Sequence, residues 1–245
     1  MAERTQVAEG VHRLGSRLIN YYLVEDGDAL TLVDAGIPGY RPNLDSTLAA
    51  LGRSPGDIQA VVLTHAHGDH VGVAEQLRTE AGVPVYVLRA DEELARTHKQ
   101  PKRERSMLPY LRYGAALGLI AHMAHNGFPP KIAEVTTFGD RDVLDVPGRP
   151  VAIPTPGHTE GHVSMHLPDR GVLFAGDALN SRNPVTGRMG PQIMPACVNL
   201  SSDQALDSLS KLEDLDAGVL LFGHGEPWTD SPAAAVGRAR ELGPS

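Results

Sequence analysis

The segment Thr64-His65-Ala66-His67-Gly68-Asp69-His70 places three imidazoles and a carboxylate within six consecutive positions, directly after the apolar run Ala60-Val61-Val62-Leu63. A β-branched run of that length reads as a buried strand, and the end of a strand is where an α/β sheet presents its functional loops. Imidazole nitrogens and carboxylate oxygens are ligands for divalent ions, so an HxHxDH pattern at such a position predicts a metal site. Alternate positions of extended chain point the same way. His65 and His67 can therefore close on one ion while Asp69 and His70 face another direction. Beyond them, Val71 to Ala81 has a helical pattern.

A two-metal site needs more ligands, on strand ends or turns elsewhere in the chain. Pro156-Gly157-His158-Thr159-Glu160-Gly161-His162 follows the strand-like stretch 150–155, and its first glycine permits the sharp turn that would project His158 inward. Val172-Leu173-Phe174-Ala175-Gly176-Asp177 is an apolar run that ends in a glycine and a carboxylate. Val219-Leu220-Leu221-Phe222-Gly223-His224-Gly225 ends the same way with a histidine.

In this order THAHGDH, PGHTEGH, AGDAL and FGHGEP resemble the signature of the metallo-β-lactamase superfamily, and within it the glyoxalase-like hydrolases. The likeness begins at Val11-His12-Arg13-Leu14 and Leu32-Val33-Asp34-Ala35-Gly36 and covers nearly the whole chain. It implies an α+β fold, a four-layer αββα sandwich of two mixed β-sheets with helices outside. It also implies that His65, His67 and His158 hold a first metal, that Asp69, His70 and His224 hold a second, and that Asp177 bridges them. Two divalent ions per chain follow, with zinc fitting nitrogen and oxygen donors best and iron or manganese suiting the same set. Asp34 and His162 match positions that orient ligands through hydrogen bonds, or are structural.

The chemistry implied is hydrolysis of a small ester, lactone or thioester by a hydroxide that bridges the metals, with Asp69 orienting the nucleophile or carrying a proton. The residues after Asp177 read Ala-Leu-Asn-Ser-Arg-Asn, where hydroxyacylglutathione hydrolases carry a GCGR-type stretch. Asn180 stands where many quorum-quenching lactonases place a tyrosine, which leaves Tyr110 and Tyr113 as candidate proton donors. The alternatives within the superfamily are β-lactam hydrolysis, a mononuclear-iron persulfide dioxygenase, whose relatives commonly have cysteine at the His162 position, and a phosphodiesterase or nuclease.

Ligands spread from His65 to His224 predict one domain over 1–245. The formal net charge of −8 disfavours a nucleic-acid surface and leaves a small molecule as the expected partner. No apolar run suits a membrane span, and Met1 to Gly10 lack the basic start and apolar core of an export signal, so a cytoplasmic location is expected. With one cysteine, Cys197, there is no internal disulfide, and packing or loop chemistry is its expected role.

Strands are predicted at 11–14, 19–25, 29–34, 57–64, 83–88, 141–146, 151–154, 162–167, 171–175 and 218–222. Helices are predicted at 42–51, from Ser202 or Asp203 as cap to Leu215, and from about 232 to 242. Glu92 to about Pro130 departs from this pattern and reads as a helical insert with Tyr110, Tyr113, Leu117, Ile120 and Met123 at helical spacing, a stripe expected to pack on the core, while the family resemblance implies a cap over the metal site at this place. His122 and His125 share a helical face but lack a carboxylate for a further metal site. Arg96, Lys99, Lys102, Arg103 and Arg105 form a basic cluster in the insert, either a solvated face or an attraction for an anionic substrate.

Overall fold

The computed structural model describes residues 5–245; the N-terminal reading falls partly on 1–4, outside the described residues. Two main sheets carry the chain. Strands β1 (Thr5–Ala8), β2 (Val11–Gly15), β3 (Asn20–Asp26), β4 (Ala29–Val33), β5 (Ile58–Val62), β6 (Val85–Leu88) and β7 (Thr136–Phe138) lie side by side in sequence order. The first four are antiparallel, and β4 to β7 run parallel, with α1 (Arg41–Ala50) and α2 (Ala74–Ala81) in the crossovers. The second sheet has the order β13-β10-β9-β8, from β8 (Val151–Pro154), β9 (Val163–Leu167), β10 (Val172–Gly176) and β13 (Val219–Phe222). A separate hairpin pairs β11 (Asn180–Arg182) with β12 (Met189–Gln192).

The layers follow from strand alternation. In β3, Tyr21 and Leu23 face α1 and α2, whereas Tyr22 and Val24 face the other sheet; in β5, Val61 takes the helix side and Ala60 and Val62 the sheet side. In β10, Val172 and Phe174 point to the first sheet, and Leu173 and Ala175 pack under α5 (Ser202–Ser208) and α6 (Pro232–Leu242). The middle layer joins both sheets, with Tyr22 from the first set edge-on to Phe174 from the second at 5.2 Å between ring centres. This is the mixed α+β, helix–sheet–sheet–helix architecture expected. Truncating Phe174 to alanine should cost about 3–5 kcal/mol, because a filled interior cannot collapse into the gap.

Several boundaries differ from expectation. The stretch 141–146 is a turn with one isolated bridge, Val143 to Val151, while β7 forms instead over Thr136–Phe138. The helix after residue 200 ends at Ser208 and tightens into a 3-10 turn over Leu209–Lys211, and its cap is Ser201, whose hydroxyl accepts from the Gln204 amide at 3.2 Å. Among the described residues no helix is long and apolar enough to cross a membrane.

The insert comprises α3 (Glu92–Thr97), a 3-10 turn (Leu108–Arg112) and α4 (Gly114–Asn126). Only part of the apolar stripe packs as expected. Tyr110 is buried with Ala116, Val185 and Cys197, but Leu117 and Ile120 are about half exposed. Burial pushes the Cys197 thiol up to about 11, so it packs as a neutral group.

Candidate metal centre

The two sheets end at a common rim, and four parallel strand ends deliver the site. β4 leads into Asp34, β5 into Thr64 and His65, β10 into Asp177, and β13 into Gly223 and His224. Two glycines make the convergence possible. A Cβ on Gly223 would lie 2.2 Å from Asp177 Oδ1, and Gly157 turns at φ +131° with Ala205 backbone 2.3 Å from where its Cβ would stand.

All seven residues inferred from sequence as ligands come together. His65, His67 and His158 each bring one donor atom within 4.8 Å of the others, as do His65, His70 and Asp177, and Asp69, His70 and His224. The Asp177 carboxylate lies 3.3 Å from both His158 Nε2 and His224 Nε2, 3.7 Å from His70 Nε2 and 3.9 Å from His65 Nε2. It therefore occupies the middle of the cluster. Asp69 closes one side, 3.6 Å from His224 Nε2 and 3.9 Å from His70 Nε2.

The outward-facing nitrogen of each ring has a partner that sets its tautomer. His70 Nδ1–H donates to Asp34 Oδ2 at 2.8 Å, and His224 Nδ1–H donates to the Leu18 carbonyl. The Thr64 hydroxyl donates to Asp34 at 2.8 Å, leaving its oxygen to accept from His65 Nδ1–H at 3.1 Å. His67 Nε2–H donates to the Gln100 amide oxygen at 3.0 Å. His158 Nδ1–H donates to Asn199 Oδ1 at 2.9 Å, an orientation fixed because Asn199 Nδ2 donates to the Met194 carbonyl.

These assignments provide a test of fit for a cation. His65 Nε2, His70 Nε2, His224 Nε2 and Asp177 Oδ1 are buried with no hydrogen-bond partner. His67 Nδ1 and His158 Nε2 are left as two lone pairs facing one another at 2.8 Å. Such an arrangement is repulsive until something positive lies between the nitrogens. Protons are poor candidates there, since burial, reinforced by neighbouring imidazoles, holds His65 and His67 well below the usual histidine range. Burial also lowers His158, against the opposing pull of Asp177. A divalent ion suits a buried set of nitrogen and carboxylate donors without thiolate.

The other side is charged differently. Burial alone would lower His70, but Asp34, Asp177 and Asp69 together raise it to about 10. Asp177 and Asp69 likewise outweigh burial and raise His224. Burial works against the charge on Asp177, yet His224 and His70 overcome it and hold the carboxyl well below its usual range.

Asp34 and His162 both act through other residues. Asp34, at φ +58°, accepts from the Thr64 amide and hydroxyl as well as from His70. His162 Nδ1–H donates to Thr155 Oγ1 at 2.8 Å, so its Nε2 accepts the Asp177 backbone N–H at 2.8 Å, and burial lowers its pKa to about 3. Asp91, Gln100 and Asn199 were not foreseen, nor was the contact made by Asn180. Asp91, buried just before α3, accepts from Ala66 N, Thr159 Oγ1 and Gly161 N at 2.8–3.0 Å, tying the first ligand loop to the second. Asn180 Oδ1 accepts the His224 amide at 2.8 Å, which positions that ligand loop.

The candidate proton donors in the insert point elsewhere. The Tyr110 hydroxyl donates to the Ser245 carbonyl at 2.8 Å, and the Tyr113 hydroxyl accepts from Arg112; both line a cavity of about 700 Å³ that contains none of the seven cluster residues. The basic cluster is also dispersed: Arg96 lies 3.6 Å from Glu92, and Arg103 donates to the Cys197 carbonyl. The insert nevertheless borders the centre at Gln100 on His67 and at Pro129 beside Gly68.

The profile of the metallo-beta-lactamase superfamily matches residues 14–224. The chain is 28% identical to the probable metallo-hydrolase YflN of Bacillus subtilis over 91% of its own length and 87% of the relative's. It is 32% identical to a hydroxyacylglutathione hydrolase of Rhizobium meliloti, covering 80% of this chain and 57% of that enzyme. Among solved structures, metallo-beta-lactamase family protein TTHA1429 of Thermus thermophilus superposes with a TM-score of 0.68 at 28% identity, covering 97% of this chain and 79% of the other.

Proposed function

Because this chain belongs to the metallo-β-lactamase superfamily, we propose that it is a dinuclear metal-dependent hydrolase of a small ester, lactone or thioester. The observation that carries the reading is the set of five histidines whose outer nitrogens are hydrogen-bonded, so that their inner nitrogens converge, those of His65, His70, His158 and His224 on Asp177 and that of His67 on His158. His65, His67 and His158 would hold one ion and Asp69, His70 and His224 the other, with Asp177 between them. Zinc is the ion this donor set favours. When bound, such a pair lowers the pKa of water toward neutrality and polarises a carbonyl.

The chain's own residues supply position and proton handling. Asp177 is buried and fixed from behind by His162. Asp69 has a side chain 17% exposed, against 2% for Asp177. That places Asp69 on the solvent side, where a carboxylate can orient an attacking water or carry a proton to the departing oxygen, sulfur or nitrogen. The five imidazoles, Asp34 and Asp177 are preorganised in a water-poor interior, where their electrostatic influence is strongest.

The test is a panel of a lactone, a thioester, a β-lactam and a phosphodiester, assayed alongside metal analysis. Turnover of the lactone or thioester, abolished by a chelator and restored by zinc or manganese, is expected. Undiminished turnover in metal-free protein would contradict the reading.

A further inference from the structure

A cavity of about 650 Å³ lies between the β2–β3 turn, α4 and the β11–β12 hairpin. None of the seven cluster residues lines it, but two links tie it to the His224 side of the centre. Gly225, which follows His224, forms part of its wall and packs against the Arg182 backbone. Leu18, whose carbonyl accepts from His224 Nδ1, belongs to the same turn as the lining residues Ser16 and Arg17.

The lining contradicts the charge of the whole chain. Among the described residues that line it, three guanidinium groups, Arg13, Arg17 and Arg182, face one carboxylate, Glu226, in a protein of net charge −8. Glu226 is already engaged: Arg13 Nη1 donates to it at 2.5 Å, and Arg17 Nε stands 3.9 Å from its other oxygen. Arg182 has no carboxylate partner among the described residues, and its Nε is buried without an acceptor. Arg182 lines the cavity with no carboxylate to occupy it, and the planar fork of arginine matches an oxyanion through two parallel hydrogen bonds. Also in the wall, Tyr40 OH bonds to Ser16 Oγ at 2.6 Å and to His122 Nε2 at 2.7 Å, adding neutral polar groups.

We propose that this cavity is a recognition subsite for a carboxylate arm of the substrate, with Arg182 as the principal contact and Arg17 beside it. The substrate class of the hydrolase narrows to esters, lactones or thioesters that bear a second, non-reacting carboxylate. This rests on the hydrolase reading above only for the identity of the reacting group. Glutarate binding tests the subsite without any turnover.

The experiment compares wild type, Arg182→Gln and Arg182→Lys, each metal-loaded and checked for unaltered thermal unfolding. Hydrolysis of monophenyl glutarate is set against its uncharged methyl ester, and glutarate, glutaramide and inorganic phosphate are titrated by calorimetry. Wild type should prefer the anionic ester by about tenfold or more in kcat/KM, expressed in KM, as expected for a charge-assisted pair. Arg182→Gln should collapse that preference and weaken glutarate binding by a similar factor, and Arg182→Lys should recover part of it. Equal hydrolysis of both esters, with glutarate binding unaffected by Arg182→Gln, would overturn the subsite while leaving the hydrolase intact. Arg182-dependent glutarate binding without hydrolysis of either ester would sustain the subsite and remove the hydrolase reading. Arg182-dependent binding of phosphate but not glutarate would overturn the carboxylate assignment.

Discussion

The two halves of the centre sit a few ångströms apart and share Asp177, yet they are built on opposite electrostatics. His65, His67 and His158 form an imidazole group in which burial and mutual repulsion keep protons away. His70 and His224 stand among Asp34, Asp69 and Asp177, and these carboxylates overcome burial to raise both rings, His70 to about 10. At neutral pH the first group offers lone pairs directly, whereas His70 in the second must release a proton to receive an ion. Burial alone therefore does not set the behaviour of a buried histidine. What surrounds it at short range decides whether it waits as a ligand or as a cation.

The largest expected effect separates the halves by pH. With His70 raised to about 10 in the metal-free protein, each pH unit below that value should cost about tenfold in affinity for the second ion. Across pH 6 to 9 this amounts to about a thousandfold, while the first ion, facing rings already neutral, should change far less over the same range. Chelator competition at several pH values measures both slopes. Parallel slopes would break the distinction.

Next in size is Asp177→Ala, which should lower turnover by more than about a hundredfold, beyond the range expected for loss of an outer hydrogen-bond partner. Metal should be lost first from the half containing Asp69, His70 and His224, since the three imidazoles remain on the other side. Retention of two ions at full activity would show that Asp177 joins nothing.

Asn199→Ala sharpens the comparison from the opposite side. It removes the acceptor that fixes His158 Nδ1–H and should weaken the first ion by about 10–100-fold, with little effect on the second. Isothermal titration of metal into the metal-free variant distinguishes the two steps. The smallest effect belongs to the insert: Tyr113→Phe should change kcat by less than about twofold, because its hydroxyl meets Arg112 rather than the centre. A large fall in kcat alone would restore it as a proton donor.

The seven clustered side chains were legible because each follows an apolar run that the sheets bury, so a local pattern determines where its last residue emerges. The strands were legible from the same runs, whereas their layering was implied by the family resemblance. Asp91, Gln100 and Asn199 were not, since their importance arises only from what the tertiary structure brings to them across 25 to 70 residues of separation. A lone aspartate before a helix has the same local signature whether it solvates a turn or ties two ligand loops. The insert misled for a related reason. Helical spacing identified α4 but not its buried face, and Leu117 and Ile120, read as packing residues, are about half exposed. The strand expected at 141–146 shrinks to one bridge at Val143: Arg141, Asp142 and Leu144 also hydrogen-bond to 150–152, but the left-handed backbone of Arg141, at φ +56°, breaks the extended run.

Seven side chains arranged as two adjoining metal sites should bind two ions, and metal content reads that number. Elemental analysis of wild type and Asp69→Ala, each equilibrated with zinc at pH 8.5 and passed through a desalting column, should give two ions per chain and one, respectively. One ion per chain in both proteins, or a single iron accompanied by oxygen consumption on a persulfide, would contradict the account.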